Sequence, residues 1–154
     1  MFLSLAAYWA APFLLLSRDL SSTAGVDDTA PALAGFSVFI FSVGIFLHYT
    51  SDCQKFYTLK YHPGLVDEGL FAHCRNTNYL GEVLIYSAFA LLSQHWIPWG
   101  VNFIYWGSLF IPSMLKKDQS LSRYPGFAAY KKRSGLFIPA YPFLTQVKPR
   151  EAKQ

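Results

Sequence analysis

Residues 78–93 read NYLGEVLIYSAFALLS, a polar opening followed by an apolar run. Asn78 and Glu82 are spaced i, i+4, so both side chains fall on one face if the segment is helical. No charged residue follows Glu82 before the run ends at Ser93. A carboxylate at the mouth of a lipid-embedded segment is costly unless it faces a partner, a watery cavity or a ligand. The stretch therefore predicts a helix with a polar site at a membrane boundary.

The composition of the whole chain indicates a membrane protein. Of its 154 residues, 53% are apolar and only 14% are charged, whereas about 25% are charged in soluble domains. Apolar runs recur at residues 2–16, 32–49, 79–93 and 97–115, and a polar loop is expected between residues 50 and 77. We expect an all-α integral membrane bundle of about four transmembrane helices, forming one domain over residues 1–154.

The basic residues orient this bundle in the membrane. Nine of the thirteen Lys and Arg residues lie at or after Lys116, against only Asp118 and Glu151 there. Such a tail is typical of the cytosolic side, and an even number of crossings returns the N-terminus to it. We therefore expect cytosolic termini, in the endoplasmic reticulum of a eukaryote or the inner membrane of a bacterium. Nucleic-acid binding is the competing interpretation of a basic tail, and the preceding lipid-facing runs argue against it.

One group of polar residues lies at the end of the second apolar run, and another lies at the start of the third. His48 and Asp52 are spaced i, i+4 at the end of the second run, where headgroups can solvate them or a ligand can bind them. Arg75, Asn78 and Glu82 bring a guanidinium, an amide and a carboxylate to one mouth. The guanidinium can hold a phosphate bidentately, and the carboxylate can accept from a hydroxyl or amide. The structural alternatives are a helix cap at Asn78, close helix packing at Gly81 and a headgroup anchor at Arg75.

A third group alternates aromatic and basic residues in an amphipathic C-terminal segment: Lys116, Lys117, Arg123, Tyr124, Tyr130, Lys131, Lys132 and Arg133. It can lie on the membrane surface or dock a phosphate-rich cofactor. The sequence has no Gly-x-Gly-x-x-Gly motif, no Walker loop and no Cys/His metal spacing, which excludes a soluble dinucleotide fold and predicts no metal site. Two cysteines are too few for a disulfide framework, so Cys53 and Cys74 are expected to be free thiols.

These blocks, in this order, resemble the C-terminal region of the steroid 5-alpha-reductase superfamily. The likeness extends more distantly to sterol C14/C7 reductases and isoprenylcysteine carboxyl methyltransferases. The matching pieces are residues 51–55 (SDCQK), 69–71 (GLF), Arg75 with 78–82 (NYLGE), 117–118 (KD), Tyr130 and 137–139 (FIP). The resemblance spans about residues 36–143 and leaves 144–154 as a basic tail.

The resemblance implies a membrane protein with a cofactor cavity open to the cytosol. In the reductase branch the cofactor is NADPH, and hydride passes to a carbon–carbon double bond of a steroid, sterol or other lipid. In the methyltransferase branch the cofactor is S-adenosylmethionine, and the block usually reads Arg-His-Pro-x-Tyr. Asn78 and Glu82 favour the reductase branch here.

The residue pattern and the resemblance together give a set of site residues. The expected cofactor-binding residues are Asp52, Arg75, Asn78, Glu82, Arg123 and Tyr130, and the expected catalytic residues are Glu82 and Tyr79. Packing is the alternative role of Tyr79. Steroid reductases carry the acid and tyrosine that polarise the enone on additional N-terminal helices, and only about thirty-five residues precede the matching region here. Besides a lipid methyltransferase, a non-catalytic membrane protein that kept the cofactor half therefore remains open.

Overall fold

A computed structural model of the protein describes residues 11–14, 16–17 and 30–140. Residues 11–14 and 16–17 are helical, and most of the first apolar run and the tail beyond 140 lie outside this description. The described helices are α1 (Ala30–Tyr61), α2 (Thr77–Ser93), α3 (Trp96–Tyr105), α4 (Ile111–Leu121) and α5 (Phe127–Arg133). A 3₁₀ turn, Gly69–Phe71, precedes α2, and a π-helical turn, Trp106–Phe110, joins α3 to α4. No β-strand occurs in the described residues, and the predicted all-α class is confirmed.

α1 is long and apolar enough to cross a membrane, over Pro31–Tyr61, and is alone in this among the helices described. Only 11% of its most apolar window is buried, whereas the core helix of a soluble protein would be mostly enclosed. Large apolar side chains such as Phe36, Phe39 and Phe46 point outward. An exposed apolar surface of this extent needs lipid or a protein partner to cover it.

The prediction of a loop over residues 50–77 is wrong for residues 50–61, because α1 continues to Tyr61. The polar residues after Tyr49 end the apolar run, but they do not end the helix. Between Tyr49 and Pro63 the sequence has no proline or glycine. Pro63 itself disfavours the α conformation of the residue before it, His62. The loop therefore begins at His62, and α1 extends well past its apolar part.

The segment from Trp96 to Leu121 is one continuous helix with a widened turn. Tyr105, Trp106, Phe110 and Ile111 all keep right-handed helical dihedrals. Pro112 explains the widening, because a proline lacks a backbone donor and its ring collides with the carbonyl four residues earlier. In the π turn the Ile111 N–H donates to the Trp106 carbonyl instead.

α1 and α2 cross at two glycines. A Cβ on Gly81 would lie 2.5 Å from the His48 nitrogen and 2.6 Å from the Gly44 oxygen, and a Cβ on Gly44 would lie 2.8 Å from the Gly81 oxygen. Only glycine allows two helix backbones to approach this closely. The crossing therefore fixes His48 of α1 against the first turns of α2.

We expect Gly81→Ala to destabilise the protein by about 1–3 kcal/mol, the usual cost of forcing extra atoms into a packed contact. Gly35→Ala is the matched control, because Gly35 also lies in a helix and nothing lies within 4 Å of its Cβ position. Thermal unfolding in detergent, followed by tryptophan fluorescence, compares the two variants. Equal melting temperatures would show that the backbones do not meet at Gly81.

The segment after α5 folds back onto the loop that precedes α2. Cys74 and Gly135 form a single parallel bridge, in which the Arg75 N–H donates to the Gly135 oxygen over 2.9 Å. The Asn76 amide donates to the Leu136 carbonyl over 2.8 Å. These contacts hold the C-terminal segment beside the start of α2, the part of the chain that carries Arg75 and Asn78.

Candidate functional site

The helix crossing gathers one histidine and two carboxylates. His48 Nδ1 lies 3.7 Å from Glu82 Oε1, and its Nε2 lies 3.9 Å from Asp52 Oδ2. The Asp52 side chain is 48% exposed, whereas those of His48 and Glu82 are 24% and 22% exposed. The imidazole thus connects a solvent-facing carboxylate with a more enclosed one.

Asn78 completes this cluster from the second position of α2. Its backbone oxygen lies 3.3 Å from His48 Nδ1. Its side-chain oxygen is buried and has no hydrogen-bond partner among the described residues. The residue before the helix is Asn76, and its side chain makes no capping bond. A buried carbonyl oxygen without a donor carries a desolvation cost, which a ligand N–H or O–H could relieve.

An apolar groove of about 300 Å³ runs along the α1–α2 pair and ends at this cluster. Its walls are Phe41, Ile45 and Tyr49 from α1 and Ile85, Tyr86 and Phe89 from α2, with His48 and Glu82 at the polar end. Such a groove can hold an apolar chain or ring, because hydrophobic walls with few polar groups are typical of small-molecule sites. The polar end can then exchange a proton or a hydrogen bond with the molecule held there.

Arg75 takes part in a different assembly. Its guanidinium is buried, and Nε donates to Asp118 Oδ1 over 3.0 Å. Nη1 donates to the Lys131 carbonyl over 3.3 Å and to the hydroxyl and carbonyl oxygens of Ser134. These contacts make Arg75 an anchor between the start of α2 and the α4–α5 region, and no contact joins it to Glu82.

Three further predicted residues also lie apart from the cluster. The Tyr130 hydroxyl donates to the Phe71 carbonyl over 2.7 Å, and burial raises the pKa of Tyr130. Arg123 is exposed and lies over the ring of Tyr124, 5.1 Å from its centroid. The Tyr79 ring packs against Phe110 with centroids 4.8 Å apart, which agrees with the packing alternative.

The structure thus brings Asp52, Asn78 and Glu82 together and leaves Arg75, Tyr79, Arg123 and Tyr130 elsewhere. His48 is the central member of the cluster, whereas its position in the sequence indicates only an i, i+4 pairing with Asp52. Its contact with Glu82 depends on the glycine crossing. The sequence does show a glycine in each of two apolar runs, Gly44 and Gly81. A glycine alone does not show which helix will pack against it.

Lys117 is a second functional candidate that sequence reasoning treated only as part of a motif. Its ammonium is largely enclosed and donates to the Arg75 carbonyl over 2.9 Å and to Asn76 Oδ1 over 3.0 Å. Lys117 therefore ties α4, the end of the long continuous helix, to the residues that precede α2.

The chain is similar in sequence to a protein family of unknown function and to an uncharacterised yeast protein. The profile of the family described as "Protein of unknown function (DUF1295)" matches residues 5–134. An uncharacterised protein of Schizosaccharomyces pombe is 32% identical over 63 residues, which cover 37% of this chain and 23% of the yeast protein. No solved structure matches the chain.

Proposed function

Because the chain belongs to the DUF1295 family, whose function is unknown, its activity has to be argued from its site. We propose that it is a membrane-bound reductase that takes NADPH from the cytosol and reduces a carbon–carbon double bond of a lipid. The observation that carries this proposal is the His48–Glu82 pair at the polar end of an apolar groove. The resemblance to the steroid 5-alpha-reductase superfamily supports it.

Three helical segments support the proposed membrane location. α1 is long enough to span, α2 has 17 residues, and the continuous helix from Trp96 to Leu121 reaches about 39 Å at 1.5 Å per residue. Its outward side chains include Phe103, Ile104 and Leu115. The fourth crossing is the one predicted from the sequence of the first apolar run, and with it both termini would lie in the cytosol.

The hydrogen-bond acceptors at the cluster fit the carboxamide of a nicotinamide. The unpartnered Asn78 oxygen can accept from a carboxamide N–H, and the Glu82 carboxylate can accept a second one. When bound, NADPH supplies the hydride for one carbon of the double bond. Asn78 and Glu82 would orient the carboxamide, while the groove walls keep water away from the lipid.

The neighbouring carbon of the double bond needs a proton, which His48 would donate. His48 would give up the proton of its imidazolium and recover one from water through Asp52, which is exposed. This proton, together with the hydride, would saturate the double bond. An imidazole suits this role because one of its ring nitrogens can donate a proton while the other accepts one.

Cofactor binding by the purified protein tests the assignment. In detergent, NADPH should bind saturably and S-adenosylmethionine should not, as judged by calorimetric titration of each. Glu82→Leu should leave membrane insertion intact and weaken NADPH binding, because it removes an acceptor from the cluster. Leu84→Ala, a change on the same helix, serves as the control.

Each other outcome assigns a different function. Binding of S-adenosylmethionine alone would favour a lipid methyltransferase. Binding of neither cofactor would favour a non-catalytic membrane protein. Unchanged NADPH affinity in Glu82→Leu would remove Glu82 from the cofactor site.

A further inference from the structure

The apolar groove beside the His48 cluster is closed at its far end. The Phe41 ring of α1 and the Phe89 ring of α2 meet edge to face there, with their centroids 5.5 Å apart. Ser37 lies one helical turn beyond Phe41 on the same face of α1, and it is fully buried. The groove therefore does not continue past the two rings on this face.

The length of the groove is set by two antiparallel helices. His48 lies against Glu82 at one end, and Phe41 lies against Phe89 at the other. Seven residues separate the two ends on each helix, so each wall is about 10 Å long at 1.5 Å per residue. The lining between the two ends has no charged side chain. The groove therefore suits an apolar group of about this length.

The groove is open along one side. Four side chains of its walls are half-buried rather than enclosed: Phe41, Ile45, Ile85 and Phe89. This side lies in the apolar part of α1, which is long enough to cross a membrane and which lipid would cover. A lipid can thus enter sideways from the bilayer, with its apolar part along the groove. Because lipid tails are as apolar as the walls, the fit to the walls decides what binds.

We propose that the Phe41–Phe89 pair limits the length of the apolar group that the site accepts. An extended chain of about eight carbons is about 10 Å long, since each carbon–carbon bond of about 1.5 Å advances the chain by about 1.25 Å. The ligand is therefore a lipid with about eight carbons, or rings of the same length, on the apolar side of the group that contacts His48. That this group contains the reduced double bond rests on the function proposed above.

A longer chain has to leave the groove at the two rings. The carbons beyond them return to the bilayer and gain no further contact with the walls. Affinity relative to the bilayer should thus increase up to about eight carbons and then stop increasing, because dispersion contacts are made only with neighbouring atoms.

Photolabelling with straight-chain primary alcohols tests this limit in the full chain, reconstituted in lipid nanodiscs. Each probe has a hydroxyl group for the polar end of the groove and a diazirine at the far end of a chain of six, eight, twelve or sixteen carbons. Mass spectrometry locates the label. In the wild-type protein, labelling of the groove walls should be strongest with the eight-carbon probe.

Three variants distinguish the closing rings from the rest of the surface. Phe89→Ala should move the optimum from the eight-carbon to the twelve-carbon probe, because it removes a ring that closes the groove. Ile45→Phe should move it to the six-carbon probe, because it places a ring one turn nearer to His48. Phe39→Ala removes an exposed ring of α1 outside the groove and should leave the optimum unchanged. If Phe89→Ala does not fold, Phe89→Leu should give a smaller shift in the same direction.

Equal labelling by all four probes, or an optimum that neither groove variant moves, would overturn the length limit. A groove that no probe labels, in a protein that is dimeric in the nanodisc, would mean that a second copy covers it and would also overturn the limit. NADPH binding without a chain-length preference would overturn the limit alone and leave the reductase standing. Length-dependent labelling of a protein that does not bind NADPH would retain the limit and overturn the reductase.

Discussion

Replacing Arg75 by methionine should lower the free energy of unfolding by about 3–5 kcal/mol, the cost of removing one partner of a buried ion pair. Asp118 is only 7% exposed, so it would keep its burial and lose its nearest cation. The loss also removes the Arg75 bonds to Lys131 and Ser134, which hold the C-terminal segment. We expect this to be among the largest effects of any single substitution on stability.

Thermal unfolding in detergent measures this effect. Arg123→Met is the control, because Arg123 is exposed and should change stability little. The double variant Arg75→Met with Asp118→Leu should recover much of the loss, since it leaves no unpaired charge in the interior. If the single variant Arg75→Met unfolds at the same temperature as the wild-type protein, the Arg75–Asp118 ion pair contributes nothing to stability.

Replacing His48 by glutamine should slow reduction of the lipid by roughly 10²–10⁴-fold, the usual contribution of a positioned proton donor. Glutamine keeps a hydrogen-bonding group beside Glu82 and Asp52 but cannot donate a proton from a cationic form. NADPH should therefore still bind, while turnover falls.

His73→Gln controls for loss of a histidine elsewhere, because the hydrogen bonds of His73 are made by its backbone oxygen. It should retain wild-type turnover and the wild-type pH profile. Turnover by His48→Gln within a few-fold of wild type, with an unchanged pH profile, would remove His48 from the chemistry. Loss of NADPH binding in the same variant would instead make it a binding residue.

Local spacing predicts the features of this protein that arise within one helix. The i, i+4 pairs of His48 with Asp52 and of Asn78 with Glu82 lie on helices in the structure, as their spacing requires. The helical class follows equally from the apolar runs. These placements are set by the geometry of a single helix, so one sequence is enough to predict them.

Contacts between elements were less predictable. His48 meets the Asn78 carbonyl across 30 residues, and only the glycine crossing brings the two helices so close. Arg75 is a typical phosphate ligand by residue type, yet it pairs with Asp118, 43 residues away. Spacing along the chain does not show whether a guanidinium will find an acid within the protein or a phosphate from outside.

Transfer of label to lipid tests the reductase assignment most directly. The protein in lipid vesicles would be incubated with a membrane lipid extract, NADPH deuterated at the transferable position, and S-adenosylmethionine labelled in its methyl group. We predict that mass spectrometry finds a lipid that has gained the deuterium and lost a double bond, and that the product is absent with His48→Gln. A lipid that gains the labelled methyl group and no deuterium, or no labelled lipid at all, would contradict the reductase assignment.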